Sequence, residues 1–212
     1  MFVGHYSAGF ALKAWKPQVP LWVMLLAVQA VDVGWGLLVL AGVEKVRVVP
    51  GFLAGSPLDL YYMPYTHSLV AALIWSVAAG LLHRLWRRGD GGAAALAVGL
   101  AVGSHWLLDL IVHAPDLPLY DNAAKLGFGL WAYKWPELFL ELGLLLGSVA
   151  LYVRACPQHA RRAWVLAAVL CAVQLGNSLG PNPPSGEAVA IAALVLYLLF
   201  SWAGARVERR IA

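Results

Sequence analysis

Apolar residues run along this chain in long blocks rather than in strand-like alternation, and within each block they continue all round the helical wheel. A span needs about 20 mostly apolar residues to cross about 30 Å of hydrocarbon. Six blocks meet that length, at roughly Pro20 to Val43, Thr66 to Leu85, Ala93 to Val112, Glu137 to Val153, Ala163 to Leu179 and Glu187 to Ala203. Lipid-exposed backbone must close its hydrogen bonds internally, so the pattern predicts an all-α fold, a polytopic membrane helical bundle of about six transmembrane helices. The first 16 residues are too short to span, with Lys13 and Lys16 at their end. They read as an N-terminal half-helix entering from the interface, which places His5, eight residues before Lys13, about 12 Å deeper at 1.5 Å per residue.

Composition agrees with this reading. Hydrophobic residues make up 61% of the 212 positions, charged residues only 12%, and mean hydropathy is +0.73. Several of the tryptophans (Trp15, Trp22, Trp86, Trp131, Trp135, Trp164, Trp202) fall near the ends of apolar runs, as in interfacial aromatic belts. The opening stretch MFVGHYSAGFALKAW lacks the basic start, apolar middle and small-residue cleavage site of a secretory signal, so it is expected to be retained. Cys156 and Cys171 show neither CxxC spacing nor the density of a disulfide framework. The net charge of +4 is explained by topology and does not imply nucleic acid. No repeat or linker divides the chain, which reads as one integral membrane domain: residues 1–150 carry the candidate site and 151–212 supply scaffold helices.

Basic residues cluster in alternate loops. Lys13 and Lys16 precede the first span, Arg84, Arg87 and Arg88 follow the second, Arg154, Arg161 and Arg162 separate the fourth and fifth, and Arg206, Arg209 and Arg210 follow the sixth. The positive-inside rule then puts these loops and both termini in the cytoplasm. Loops 44–65, 113–136 and 180–186, richer in Pro, Gly and Tyr, face outward.

Ionisable side chains inside the spans cost about 2.5 kcal/mol or more each on insertion scales, which makes each a candidate for function. Asp32 lies midway along the first span, His67 opens the second, His105 and Asp109 lie in the third, and Glu137 and Glu141 open the fourth. His105, Asp109 and His113 are spaced by four and share one helical face, as do Glu137 and Glu141. Antiparallel packing brings His105, Asp109 and Glu141 to similar heights, with His67 at the outer mouth of a polar pocket. Mixed imidazole and carboxylate donors suit Zn²⁺ best, with Mn²⁺ or Fe²⁺ also accommodated. Glu141 is the candidate base for a water on such an ion, or a ligand to a second metal, while His113 and Asp116 would orient ligands or touch substrate. A proton relay, a transporter, a haem or quinone site, and structural pairing are the alternatives for the same residues.

The segments GHYSAG near the start, PYTHS at 64–68, SHWLLDLIVHAPDLPL at 104–119 and GLW followed by Glu141 resemble the predicted bacterial membrane-bound metal-dependent hydrolases, the YdjM-like group. The resemblance extends to about residue 150. It implies a protein of the bacterial inner membrane with His5, Asp32, His67, His105 and Asp109 as metal ligands, and a metal-dependent hydrolase activity with Glu141 as a catalytic residue, to which the reading of the site adds His113. Pro64 and Tyr65 stand where a basic residue often precedes the THS element, and Ala114 stands where arginine is expected. The bilayer is the immediate partner, and the site's location makes an ester or phosphoester of a lipid-like amphiphile the expected substrate. The rival expectation is a proton-coupled or metal-ion transporter.

Overall fold

A computed structural model describes residues 1–209, and Arg210 lies outside the described residues. The chain forms helices α1 (His5–Trp15), α2 (Leu21–Val28), α3 (Ala30–Leu40), α4 (Leu69–Trp86), α5 (Gly92–Val112), α6 (Lys134–Ala155), α7 (Ala160–Leu179) and α8 (Gly186–Val207). A small antiparallel hairpin, β1 (Lys45–Val48) with β2 (Leu58–Tyr62), folds the loop 44–65. Helices α4 to α8 are each long and apolar enough to cross a membrane, and α2 with α3 make a sixth candidate span that is bent by 51°.

That bend is the main departure from the expected span Pro20 to Val43. Gln29 leaves helical geometry, with φ −104° and ψ 4°, and its side-chain Nε2 donates to the Phe2 carbonyl. The joint lies next to Asp32, in the first turn of α3. The second span also starts later than expected: Ser68 caps α4 by accepting from the Ala71 N–H, which leaves His67 on the turn just before the helix, its N–H donating to the Met63 carbonyl. Loop 113–136 carries isolated bridges pairing Leu117 with Leu126 and Tyr120 with Ala123, and it ties to the loop 44–65 through Gly55 N–H on the Trp131 carbonyl. Gly127 runs so close to the Ala114 carbonyl that a Cβ would collide with it.

Small residues set the helix spacing. Gly80 and Gly99 let α4 and α5 approach backbone to backbone, and Ser76 donates across to the Gly99 carbonyl at 2.6 Å. Helix α1 is buried between α6, α2 and α5, with Tyr6 and Phe10 packed against Phe200 and Tyr152. Eleven residues cover only about 16 Å, so α1 is the half-helix that the sequence implied. Its two ends meet different surroundings: His5 reaches the middle of the bundle, whereas Lys13 lies among the loops and helix ends that carry the arginines.

Lys13 is only 2% exposed. Its Nζ donates to the carbonyls of Pro17 and Val19 and pairs with Glu208 Oε1 at 2.5 Å, while Glu208 Oε2 accepts from the Leu21 N–H. One ion pair thus joins the end of α1, the start of α2 and the end of α8. Removing the cation leaves a shielded carboxylate and two carbonyls without their donor. Lys13→Met is expected to lower stability by about 2 kcal/mol, read as a fall in the thermal midpoint of detergent-purified protein, and an unchanged midpoint would refute the assigned role of this pair.

Candidate metal centre

Four histidines and two aspartates meet where α1, the α2–α3 joint, the segment before α4 and the end of α5 converge. His105 and Asp109 stand one turn apart on α5, and Asp109 is the hub. Its Oδ1 lies 3.1 Å from His5 Nε2, and its Oδ2 lies 3.2 Å from His105 Nε2, 3.6 Å from His67 Nε2 and 3.7 Å from His113 Nε2. Asp32 Oδ1 faces the same nitrogens, at 3.3 Å from His67 and 3.4 Å from His105. The rings of His5 and His105 stack at 3.7 Å with 9° between their planes. All these side chains are buried except Asp32, which is half-buried. The Met1 amino nitrogen also contacts Asp109 Oδ1, at 2.6 Å.

Two overlapping sets, His5 with His105 and Asp109, and Asp32 with His67 and His105, each bring three donor atoms within 4.8 Å of one another. These buried groups could hold a metal ion, and two further observations fit that use. First, His105 Nε2 and both ring nitrogens of His5 lack a well-aligned hydrogen-bond partner among the described residues, although burying an unsatisfied polar atom is costly. Second, Nδ1 is engaged in the other three histidines. His105 Nδ1 lies 2.8 Å from the Val28 carbonyl, His113 Nδ1 lies 2.7 Å from Asp116 Oδ1, and His67 Nδ1 lies 2.8 Å from Thr66 Oγ1. The Thr66 hydroxyl donates onward to Glu44 Oε2 at 2.6 Å, so its oxygen is free to accept from His67. With the proton held on Nδ1, each Nε2 presents its lone pair to the centre, the orientation that outer partners impose on metal-ligating histidines.

The structure therefore brings together every residue of the expected ligand set, His5, Asp32, His67, His105 and Asp109, and adds His113. Glu141 lies beside them in a different setting. Its Oε2 accepts from the N–H groups of Gly4 and Phe2 at 2.7 and 3.0 Å, and its Oε1 from Phe2 at 2.9 Å. The carboxylate holds the start of α1. Glu137, one turn earlier on α6, is buried with an unpartnered Oε2. His83 pairs with Asp90 and His159 stacks on Tyr152, both outside the cluster.

Three contributors had no clear sequence signal. Glu44 read as a loop charge, yet it is buried and accepts from Tyr65 N, Thr66 N and Thr66 Oγ1. Tyr197, within the expected scaffold helix α8, donates to Asp32 Oδ2 at 2.6 Å. The Val28 carbonyl became visible only through the fold. A cavity of about 740 Å³ opens beside the cluster, lined on one side by Asp32, His67, Asp109, His113 and Glu137 and on the other by residues of α7 and α8.

Removing the Glu141 carboxylate leaves two N–H donors of the half-helix start unsatisfied, at about 1–3 kcal/mol for a buried group. Glu141→Ala should therefore speed amide hydrogen exchange across residues 2–10 while α4 and α5 keep their protection, and unchanged exchange in α1 would show that the carboxylate does not anchor it. No protein-family model, curated protein or solved structure matches this chain.

Proposed function

We propose that the protein is a membrane-embedded metal-dependent hydrolase that cleaves an ester or phosphoester of an amphiphile. The observation that carries this reading is the set of histidines fixed through Nδ1 around two shared carboxylates, with a cavity beside them. His5, Asp32, His67, His105 and Asp109 would hold the ion, in keeping with the YdjM-like resemblance, and the donor chemistry favours Zn²⁺ over Mn²⁺ or Fe²⁺. A divalent ion in such a site supplies Lewis acidity and brings the pKa of a water towards neutrality.

The remaining work falls to the chain. Glu137 Oε2, buried in the cavity wall and without a partner, takes the proton from the attacking water. We assign this role to Glu137 in preference to Glu141, whose oxygens are occupied by the backbone of α1. Glu137 then returns that proton to the leaving oxygen, while His113, held through Nδ1 by Asp116, stands on the cavity side of the cluster. Thr66 and Glu44 hold His67 in register, and Tyr197 fixes the rotamer of Asp32. With the arginine-rich ends of the helices in the cytoplasm of a bacterial cell, the site opens towards the outer leaflet of the inner membrane.

A second reading, metal-ion or proton-coupled transport, draws support from the broken α2–α3 span, because discontinuous helices with polar residues at the break are common at transporter binding sites. Metal content and turnover separate the two. Purified wild type should carry near-stoichiometric Zn, Mn or Fe, lost in His105→Ala, with affinity lowered about 10- to 100-fold in Thr66→Val. Glu137→Gln should keep the metal and lose about 10²- to 10⁴-fold in ester hydrolysis. Bound metal without hydrolysis, together with Zn²⁺ uptake into proteoliposomes, would decide for metal transport, and no bound metal after reconstitution would overturn the hydrolase and favour proton-coupled transport.

A further inference from the structure

The cavity wall opposite the cluster comes from the two helices whose sequence suggests only scaffolding. Val173, Gly176 and Asn177 of α7 line it, with Val189, Ala192, Ala193 and Leu196 of α8. These two helices belong to different parts of the bundle: α7 packs chiefly on α6, α8 packs on α2 and α3, and the two touch each other only sparsely. Gly176 and Ala192 are exposed although both line the cavity, and a side chain built at Gly176 would meet nothing within 4 Å. The cavity therefore continues from the cluster into a seam between two helices that are apolar enough to lie in lipid.

The charges in the lining are mainly negative. Asp32, Asp109, Glu137 and Glu141 contribute carboxylates, the Met1 ammonium is engaged by Asp109 at 2.6 Å, and no lysine or arginine lines the cavity among the described residues. Phosphate recognition draws on arginine forks or lysine ammonium groups, and a single divalent ion does not outweigh the three carboxylates that remain. An anionic headgroup would meet repulsion here, whereas an uncharged ester would not. Neutral donors are present: Trp35 and Trp131 line the cavity, and the buried Trp35 Nε1–H has no partner among the described residues.

We propose that the substrate is an uncharged long-chain carboxylic ester, a glyceride-like lipid, which enters sideways from the bilayer through the α7–α8 seam and leaves its acyl chain between Val173, Ala193 and Leu196 while its ester reaches the cluster. This rests on the hydrolase reading. In the reaction, water adds its oxygen to the ester carbonyl carbon, the C–O bond to the alcohol breaks, one water proton goes to Glu137 and a proton returns to the departing alkoxide, so that a fatty acid and an alcohol are released with no redox co-reactant.

The test uses full-length protein in phosphatidylcholine vesicles with dioleoylglycerol or phosphatidic acid as substrate, p-nitrophenyl acetate as a short soluble ester, and a diazirine-tagged diacylglycerol as a binding probe. Two variants, Gly176→Trp and Ala192→Trp, fill the seam from opposite sides at positions that are not part of the cluster. Dioleoylglycerol hydrolysis should fall about tenfold or more in each, with p-nitrophenyl acetate turnover and metal content unchanged, and the diazirine probe should label α7 and α8 in wild type but not in Gly176→Trp. Unchanged dioleoylglycerol turnover and labelling in both variants would overturn the seam as the entrance. Preference for phosphatidic acid would overturn the uncharged substrate. If no ester is cleaved although metal is bound, the hydrolase reading fails, and seam labelling that Gly176→Trp abolishes still supports lipid entry, whereas its absence refutes that too.

Discussion

Burying the Asp109 carboxylate is the constraint around which the structure is organised. A carboxylate in an apolar bundle is costly unless positive charge or hydrogen-bond donors surround it. Here the Met1 ammonium donates to it at 2.6 Å, and the imidazoles and second carboxylate that could share a metal ion with it come from separate segments, because one helix can present only neighbours at three- or four-residue spacing. His105 and His113 come from α5 and its end. His5, His67 and Asp32 must be delivered by other elements, and the half-helix, the turn at PYTHS and the joint at Gln29 are the three devices that deliver them.

Each device departs from a plain transmembrane helix, which explains what the sequence revealed and what it hid. Span positions follow from hydropathy, and the placement of His5 follows from counting back from Lys13, because both depend on local residue type and a fixed helical rise. His105 and Asp109 declare themselves by spacing. Glu44 does not, since burial of a loop carboxylate depends on how the loop 44–65 folds back over the PYTHS segment. Tyr197 is equally silent: an aromatic residue in an apolar run looks like any other membrane-facing side chain, and its contact with Asp32 spans 165 positions in the chain. The role of Glu141 shows a different limit. Depth and spacing placed it beside the cluster, but only the backbone of residues 2 to 4 shows where its oxygens are engaged.

Polar groups around the centre form two shells with different origins. The inner atoms are imidazole nitrogens and carboxylate oxygens from α1, α3, α5 and the approach to α4. The outer atoms are a carbonyl, a hydroxyl and a carboxylate, which fix the ring protons of His105, His67 and His113 away from the centre. Tyr197 belongs to this outer layer, and through it α8 takes part in the site even though it contributes no inner donor. The last two helices thus combine support for the centre with a wall of the cavity.

The joint at Gln29 has a consequence for register. In an unbroken helix each residue turns the next by about 100°, so inserting one residue anywhere along the span would swing everything beyond it to another face. Because the helix is interrupted between Val28 and Ala30, α2 and α3 keep separate phases: α2 aims the Val28 carbonyl at His105, and α3 aims Asp32 at His105 and His67. In a straight helix Val28 and Asp32, four residues apart, would share a face but the Val28 carbonyl would be engaged by the Asp32 N–H; the interruption turns that carbonyl to His105 Nδ1 while Asp32 meets Nε2 at the other end of the ring.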